Sequence, residues 1–101
     1  GAQTDAVVAG GCTPMHHAAQ FGNAEVVRLL FEAGAQKDAA DQSGGTPMHN
    51  AAYFGHAEVV RVLSEAGAEA DAVDAHRCTP MHSAAREGHA ELVRMLCEAG
   101  A

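Results

Sequence analysis

The chain has 101 residues, enough for one compact domain, and carries 13 Asp or Glu against 6 Lys or Arg for a formal net charge of −7. That balance argues against nucleic acid or an anionic membrane as a partner, because both would be repelled, and weakly favours a basic protein surface. No apolar run approaches the ~18 residues of a membrane span, and the first residues lack a charged-then-apolar signal pattern.

Read from the N-terminus, residues 1–12 form a leading turn segment, and the string Thr-Pro-Met-His then begins at Thr13, Thr46 and Thr79, every 33 residues. Self-similarity at this period signals a repeat architecture. The units are 13–45, 46–78 and 79–101, the last lacking its closing turn. Within the first unit Thr13 is suited to N-cap a helix whose first position is Pro14, where the missing N–H costs nothing. Met15, Ala18 and Ala19 follow at helical spacing, and Gly22 stops this helix after about two turns. A second helix is predicted from about Ala24 to Ala33. It is apolar on more than one side through Val26, Val27, Leu29 and Leu30, as expected of a helix with neighbours on both sides, and Gly34 ends it. Asp41-Gln42-Ser43-Gly44 then places Asp and Gly at the ends of a type I turn. Gly-Ala recurs in the same phase at Gly1, Gly34, Gly67 and Gly100, which suggests a window cut from a longer array.

The recurring pattern T-P-x-H-x-A-A-x-x-G-x-x-E-V-V-x-x-L-x-x-x-G-A resembles the ankyrin repeat along the whole chain. The resemblance implies an all-α fold, a solenoid of three stacked helix-turn-helix units with projecting β-turn fingers. It implies a non-catalytic scaffold that binds another protein through a concave groove and the finger tips. Met15, Met48 and Met81 stand where the family usually has Leu, a swap that nearly conserves volume. Gln3, Gln36 and Glu69 stand at the family's Asp position, and Asp5, Asp38 and Asp71 at its Asn. Val8 replaces the Asp of the first finger and Arg77 the Gly of the third. Were Arg77 left-handed, it would cost roughly 1–2 kcal/mol.

Seven histidines invite a metal or catalytic reading. His16, His49 and His82 recur once per unit, in a row at roughly 10 Å intervals that cannot share one ion. The resemblance gives them a structural task, tying each first helix to neighbouring turns. His17 aligns with Asn50 and Ser83. His56 and His89 align with Asn23 after the turn glycine, which suggests helix capping. Cys12 and Cys78 share a repeat position two units apart, too far for a disulfide, and Cys97 aligns with Phe31 and Ser64. An odd cysteine count without short spacing makes a disulfide framework or zinc site poorly founded and points to a reduced, cytoplasmic protein. No nucleophile–base pair, phosphate loop or paired carboxylate stands out, so neither an enzyme nor a cofactor is expected. Glu25, Arg28 and Glu32, recurring as Glu58, Arg61, Glu65 and as Glu91, Arg94, Glu98, read as a solvated helix face.

Positions that differ between otherwise uniform units are the candidate partner site. At the end of each first helix these are Gln20 and Phe21, Tyr53 and Phe54, Arg86 and Glu87. At the turn tips they are Ala9-Gly10, Gln42 and Ser43, and Ala75 with His76. Aromatics beside an Arg are the usual material of binding hot spots, although the two phenylalanines could instead tuck beneath a neighbouring unit. An alternative function is structural, with units stacking head to tail into a longer array or filament. Its expected contacts are Met15, Val26, Val27 and Leu30 at one end and Leu92, Val93, Met95 and Leu96 at the other.

Overall fold

A computed structural model describes residues 11–98. The expectations made for Gly1, Gln3, Asp5, Val8, Ala9, Gly10 and Gly100 lie outside them. The described residues form six helices and no strand: α1 (Pro14–Gln20), α2 (Ala24–Glu32), α3 (Pro47–Phe54), α4 (Ala57–Glu65), α5 (Pro80–Arg86) and α6 (Ala90–Glu98). They pair as α1/α2, α3/α4 and α5/α6. The pairs stack in chain order, with α1, α3 and α5 in one row and α2, α4 and α6 in a second.

Each first helix starts for the reason its sequence gives. The Thr13 hydroxyl accepts the His16 N–H at 3.3 Å, and His16 Nδ1 accepts the Thr13 N–H at 3.1 Å, a reciprocal box repeated at Thr46/His49 and Thr79/His82. Pro14, Pro47 and Pro80 hold the first helical position.

Stacking determines what is buried. α4 has a unit on either side and buries Val59, Val60, Val62 and Leu63. α2 buries only Val27, and α6 only Leu92 and Leu96. Full burial of one such side chain is worth roughly 1.5–3 kcal/mol, so the middle unit gains most from its neighbours. Met15 and Met48 are fully enclosed in the other row.

The fingers are closed by their aspartates. Gly44 N–H donates to the Asp41 carbonyl at 2.9 Å, and Asp41 Oδ1 accepts the N–H groups of Ser43 and Gly45, each at 2.9 Å. Asp74 serves the next finger in the same way, through His76 N–H at 2.8 Å and Cys78 N–H at 3.0 Å. Ala75 N–H donates to the Ser43 carbonyl at 2.8 Å, linking the two fingers. Arg77, at the glycine position of its finger, has φ +62°, where Gly44 has +79°. The departure from the repeat pattern therefore sits in left-handed backbone.

Candidate functional site

The row formed by the C-terminal ends of α1, α3 and α5 carries Gln20 and Phe21, Tyr53 and Phe54, Arg86 and Glu87. Neither phenylalanine of this row tucks beneath a neighbour. Phe21 is 66% exposed, and Tyr53 and Phe54 are each 47% exposed. Three of the four aromatics of the chain thus stand on one side of adjacent helices, at large cost in unburied apolar area. The Tyr53 and Phe54 rings meet edge to face at 4.8 Å, and Phe54 stacks on His56 with centroids 6.4 Å apart.

His56 is itself held in place. Its Nε2–H donates to the Gln20 carbonyl at 2.8 Å, and His89 repeats the contact to the Tyr53 carbonyl at 3.2 Å. The expectation that these residues cap their helices requires correction. Asn23 and His56 occupy N-cap positions but make no side-chain capping bond, because the His56 ring reaches across to the preceding unit. Asn50, aligned with His17, makes another such link, donating its Nδ2–H to the His16 carbonyl at 3.2 Å. Asp38 accepts the Glu69 N–H at 2.9 Å across the same boundary.

Arg86 runs back along α5, and its Nη2 lies 3.5 Å from Cys78 Sγ at the base of the third finger. The helix-end row is therefore joined to the finger side through one long side chain. Gln42, Ser43 and His76 are exposed on the fingers, Arg86 and Glu87 are exposed, and Gln20 is half-buried.

The repeat histidines are engaged in the framework. His16 Nε2 lies 2.8 Å from the Gly45 carbonyl and His49 Nε2 2.8 Å from that of Cys78. A carbonyl only accepts, so Nε2 carries the proton and Nδ1 is left to accept the Thr N–H. His16 and His49 are buried, whereas His82 is exposed. No group of three or more His, Cys, Asp or Glu positioned to hold a metal occurs among the described residues.

The eight residues expected at the stack ends divide differently from expectation. Met15 and Val27 are enclosed by the following unit, and Leu92 and Leu96 by the preceding one, so these four offer no open surface. Leu30, Val93 and Met95 are half-buried, and Val26 is exposed. Leu29 and Ala85, both exposed, were missed, since the repeat pattern does not reveal which side of a helix faces forward.

The outer row carries shallow acidic grooves. One, of about 460 Å³, is lined by Arg61, Ser64, Glu65, Glu91, Met95 and Glu98 between α4 and α6. The ion pairs Arg28–Glu25 at 3.6 Å and Arg61–Glu58 at 3.2 Å lie along this exposed face. Pairs of this kind are worth only about 0.2–0.5 kcal/mol.

The family model for ankyrin repeats (3 copies) matches residues 33–101, and that for a single ankyrin repeat matches residues 10–42. The chain belongs to the ankyrin repeat family. Ankyrin repeats are generally protein–protein interaction modules, and the proteins that carry them are generally non-catalytic. No curated protein matches the chain at a significant level. No helix among the described residues is long and apolar enough to cross a membrane.

Proposed function

We propose that this ankyrin stack is a non-catalytic, cytoplasmic recognition module, with units 13–45, 46–78 and 79–101, that grips a partner protein along the ends of α1, α3 and α5. The observation that carries this reading is the exposure of Phe21, Tyr53 and Phe54 on one row of a chain with only four aromatics. Aromatic side chains bury large areas at low entropic cost, and Arg86 adds a charged anchor beside them. Gln20, Glu87, Gln42, Ser43 and His76 extend the contact at its rim. The net charge of −7 favours a partner with a basic surface. The test is peptide-display selection on the folded chain, with the double variant Tyr53→Ala/Phe54→Ala as counter-target. Binders that discriminate between the two support the reading, and binders indifferent to the change contradict it.

A second reading, end-to-end stacking, rests on a separate observation. Val26 is 43% and Leu29 54% exposed on α2, while Val59 and Val62 at the same positions of α4 are buried. A further unit in front of α2 would cover that apolar face as α2 covers that of α4.

A further inference from the structure

The ends of α1, α3 and α5 carry two parallel rows set by repeat position. One reads Phe21, Phe54, Glu87 and the other Gln20, Tyr53, Arg86, with one residue of each row per unit. Five of these residues are exposed and Gln20 is half-buried. The middle unit shows that the surface is built rather than left over, since α3 has a helix packed on either side and Tyr53 and Phe54 still stay exposed. Their geometry is fixed as well. The His56 ring, tied to the Gln20 carbonyl at 2.8 Å, stacks on Phe54, and Tyr53 meets Phe54 edge to face at 74°. Rings held in this way lose little freedom when a ligand settles on them.

The spacing of the rows limits what can lie along them. Helices packed as α1, α3 and α5 are run roughly 8–10 Å apart. A polyproline II segment rises about 3.1 Å per residue with three residues per turn, so it presents the same face about every 9 Å. A β-strand covers that distance in about three residues too, but its side chains alternate, and the second contact falls on the wrong face. An α-helix needs about two turns, roughly 11 Å, and its carbonyls are taken by its own backbone. The second row makes the carbonyls matter. Gln20, Tyr53 and Arg86 each carry a hydrogen-bond donor, and the polyproline II backbone makes no internal bonds and leaves its carbonyls open. Arg86 has several N–H groups, so the contact of Nη2 with Cys78 Sγ leaves donors to spare. Glu87 ends the first row with a carboxylate where the other two units have phenyl rings.

We propose that the partner segment is a polyproline II strand laid across the three units. One proline sits on Phe21, a second, three residues along, sits on Phe54, and a Lys or Arg three residues further pairs with Glu87. Gln20, Tyr53 and Arg86 donate to carbonyls of the same segment. The inference rests on the aromatic-row reading above and narrows its partner to Pro-x-x-Pro-x-x-Lys or -Arg, in either chain direction.

The experiment is fluorescence-anisotropy titration of the 101-residue chain into three labelled peptides of one composition. The matched peptide is Pro-Ser-Leu-Pro-Ser-Leu-Lys. In Pro-Ser-Leu-Ser-Pro-Leu-Lys the second proline is shifted by one residue, and in Pro-Ser-Leu-Pro-Ser-Lys-Leu the lysine is. The matched peptide should bind about tenfold tighter than the first control, the equivalent of one ring contact, and about threefold tighter than the second, as an exposed ion pair allows. Glu87→Lys, at an exposed site, should abolish the preference for the lysine position and keep that for the proline position. Equal affinity for the three peptides, or a lysine preference that survives Glu87→Lys, overturns the proposal. So does the absence of binding by all three at millimolar concentration. Display-selected binders that still discriminate against Tyr53→Ala/Phe54→Ala would then leave the aromatic row standing with a partner of another conformation, and binders that do not discriminate would remove both readings.

Discussion

The His56 imidazole lies over Gly22, its Nδ1 2.7 Å from where a Cβ on that glycine would stand, while its Nε2–H donates to the Gln20 carbonyl at 2.8 Å. One side chain thus closes the gap between units and fixes the end of α1. Gly22→Ala must both adopt a left-handed backbone at φ +77° and displace a ring held by a hydrogen bond. Gly88→Ala faces the backbone term alone, roughly 1–2 kcal/mol. Urea unfolding should therefore rank Gly22→Ala and Gly55→Ala as more damaging than Gly88→Ala, by about 1 kcal/mol or more. Equal losses at the three sites would mean that the ring contact contributes nothing.

Arg77 offers the opposite experiment. Its φ of +62° is strained for any residue with a Cβ. Arg77→Gly removes a strain of roughly 1–2 kcal/mol and returns part of it through the greater freedom of the unfolded chain. A net gain of about 0.5–1 kcal/mol is expected in the unfolding free energy. A loss would show that the Arg77 side chain makes a compensating contact.

The repeat histidines should differ in value although their sequence contexts match. His49→Ala leaves the Cys78 carbonyl and the Thr46 N–H without their partner in a buried setting, which costs on the order of 1–3 kcal/mol. His82→Ala, at an exposed site, should cost well under 1 kcal/mol at dilutions where the chain is monomeric. Thermal melts of the two variants check the contrast, and equal effects would contradict it.

Asp74 ties the third finger to pH. Burial pushes its carboxyl up, but the backbone N–H donors of Cys78 and His76, with the His49 and His76 imidazoles nearby, outweigh this and hold it below its ordinary 3.8. A carboxylate whose pKa is lowered by folding stabilises the fold above the unfolded value, and that contribution is lost as pH falls through the folded one. Asp74→Asn should thus melt below wild type at neutral pH, with the gap closing as pH falls below 3.8. A gap unchanged in acid would assign the effect to hydrogen-bond geometry rather than charge.

Much of this architecture was legible because each signal is local. Thr13, Pro14 and His16 lie within one helical turn, so spacing alone places the cap, and Asp41 with Gly44 specifies its own turn. The tie from His16 came from the family resemblance, and the structure supplies its partner, Gly45. What stayed hidden depends on the direction of stacking. Val26 and Val59 are the same residue in the same motif, yet one is exposed and the other buried, because only the second has a unit in front of it. For the same reason Leu92 and Leu96 were expected at an open end and are enclosed by α4. The reach of His56 to Gln20 spans 36 residues and has no local signature, so its position next to the turn glycine read as a cap. The aromatic row was visible as variation within a uniform frame, and the structure adds that the rings are exposed.

The proposed grip of the row of Phe21, Tyr53, Phe54 and Arg86 on a partner is open to titration calorimetry. Peptides selected against the folded chain are titrated into wild type and Tyr53→Ala. They are expected to be rich in basic residues, with a Kd that rises about 30-fold in the variant, close to 2 kcal/mol, while the melting temperature is unchanged. Peptides that bind both chains equally, and lose affinity instead when Glu65 and Glu91 of the outer groove are changed to Gln, would contradict it.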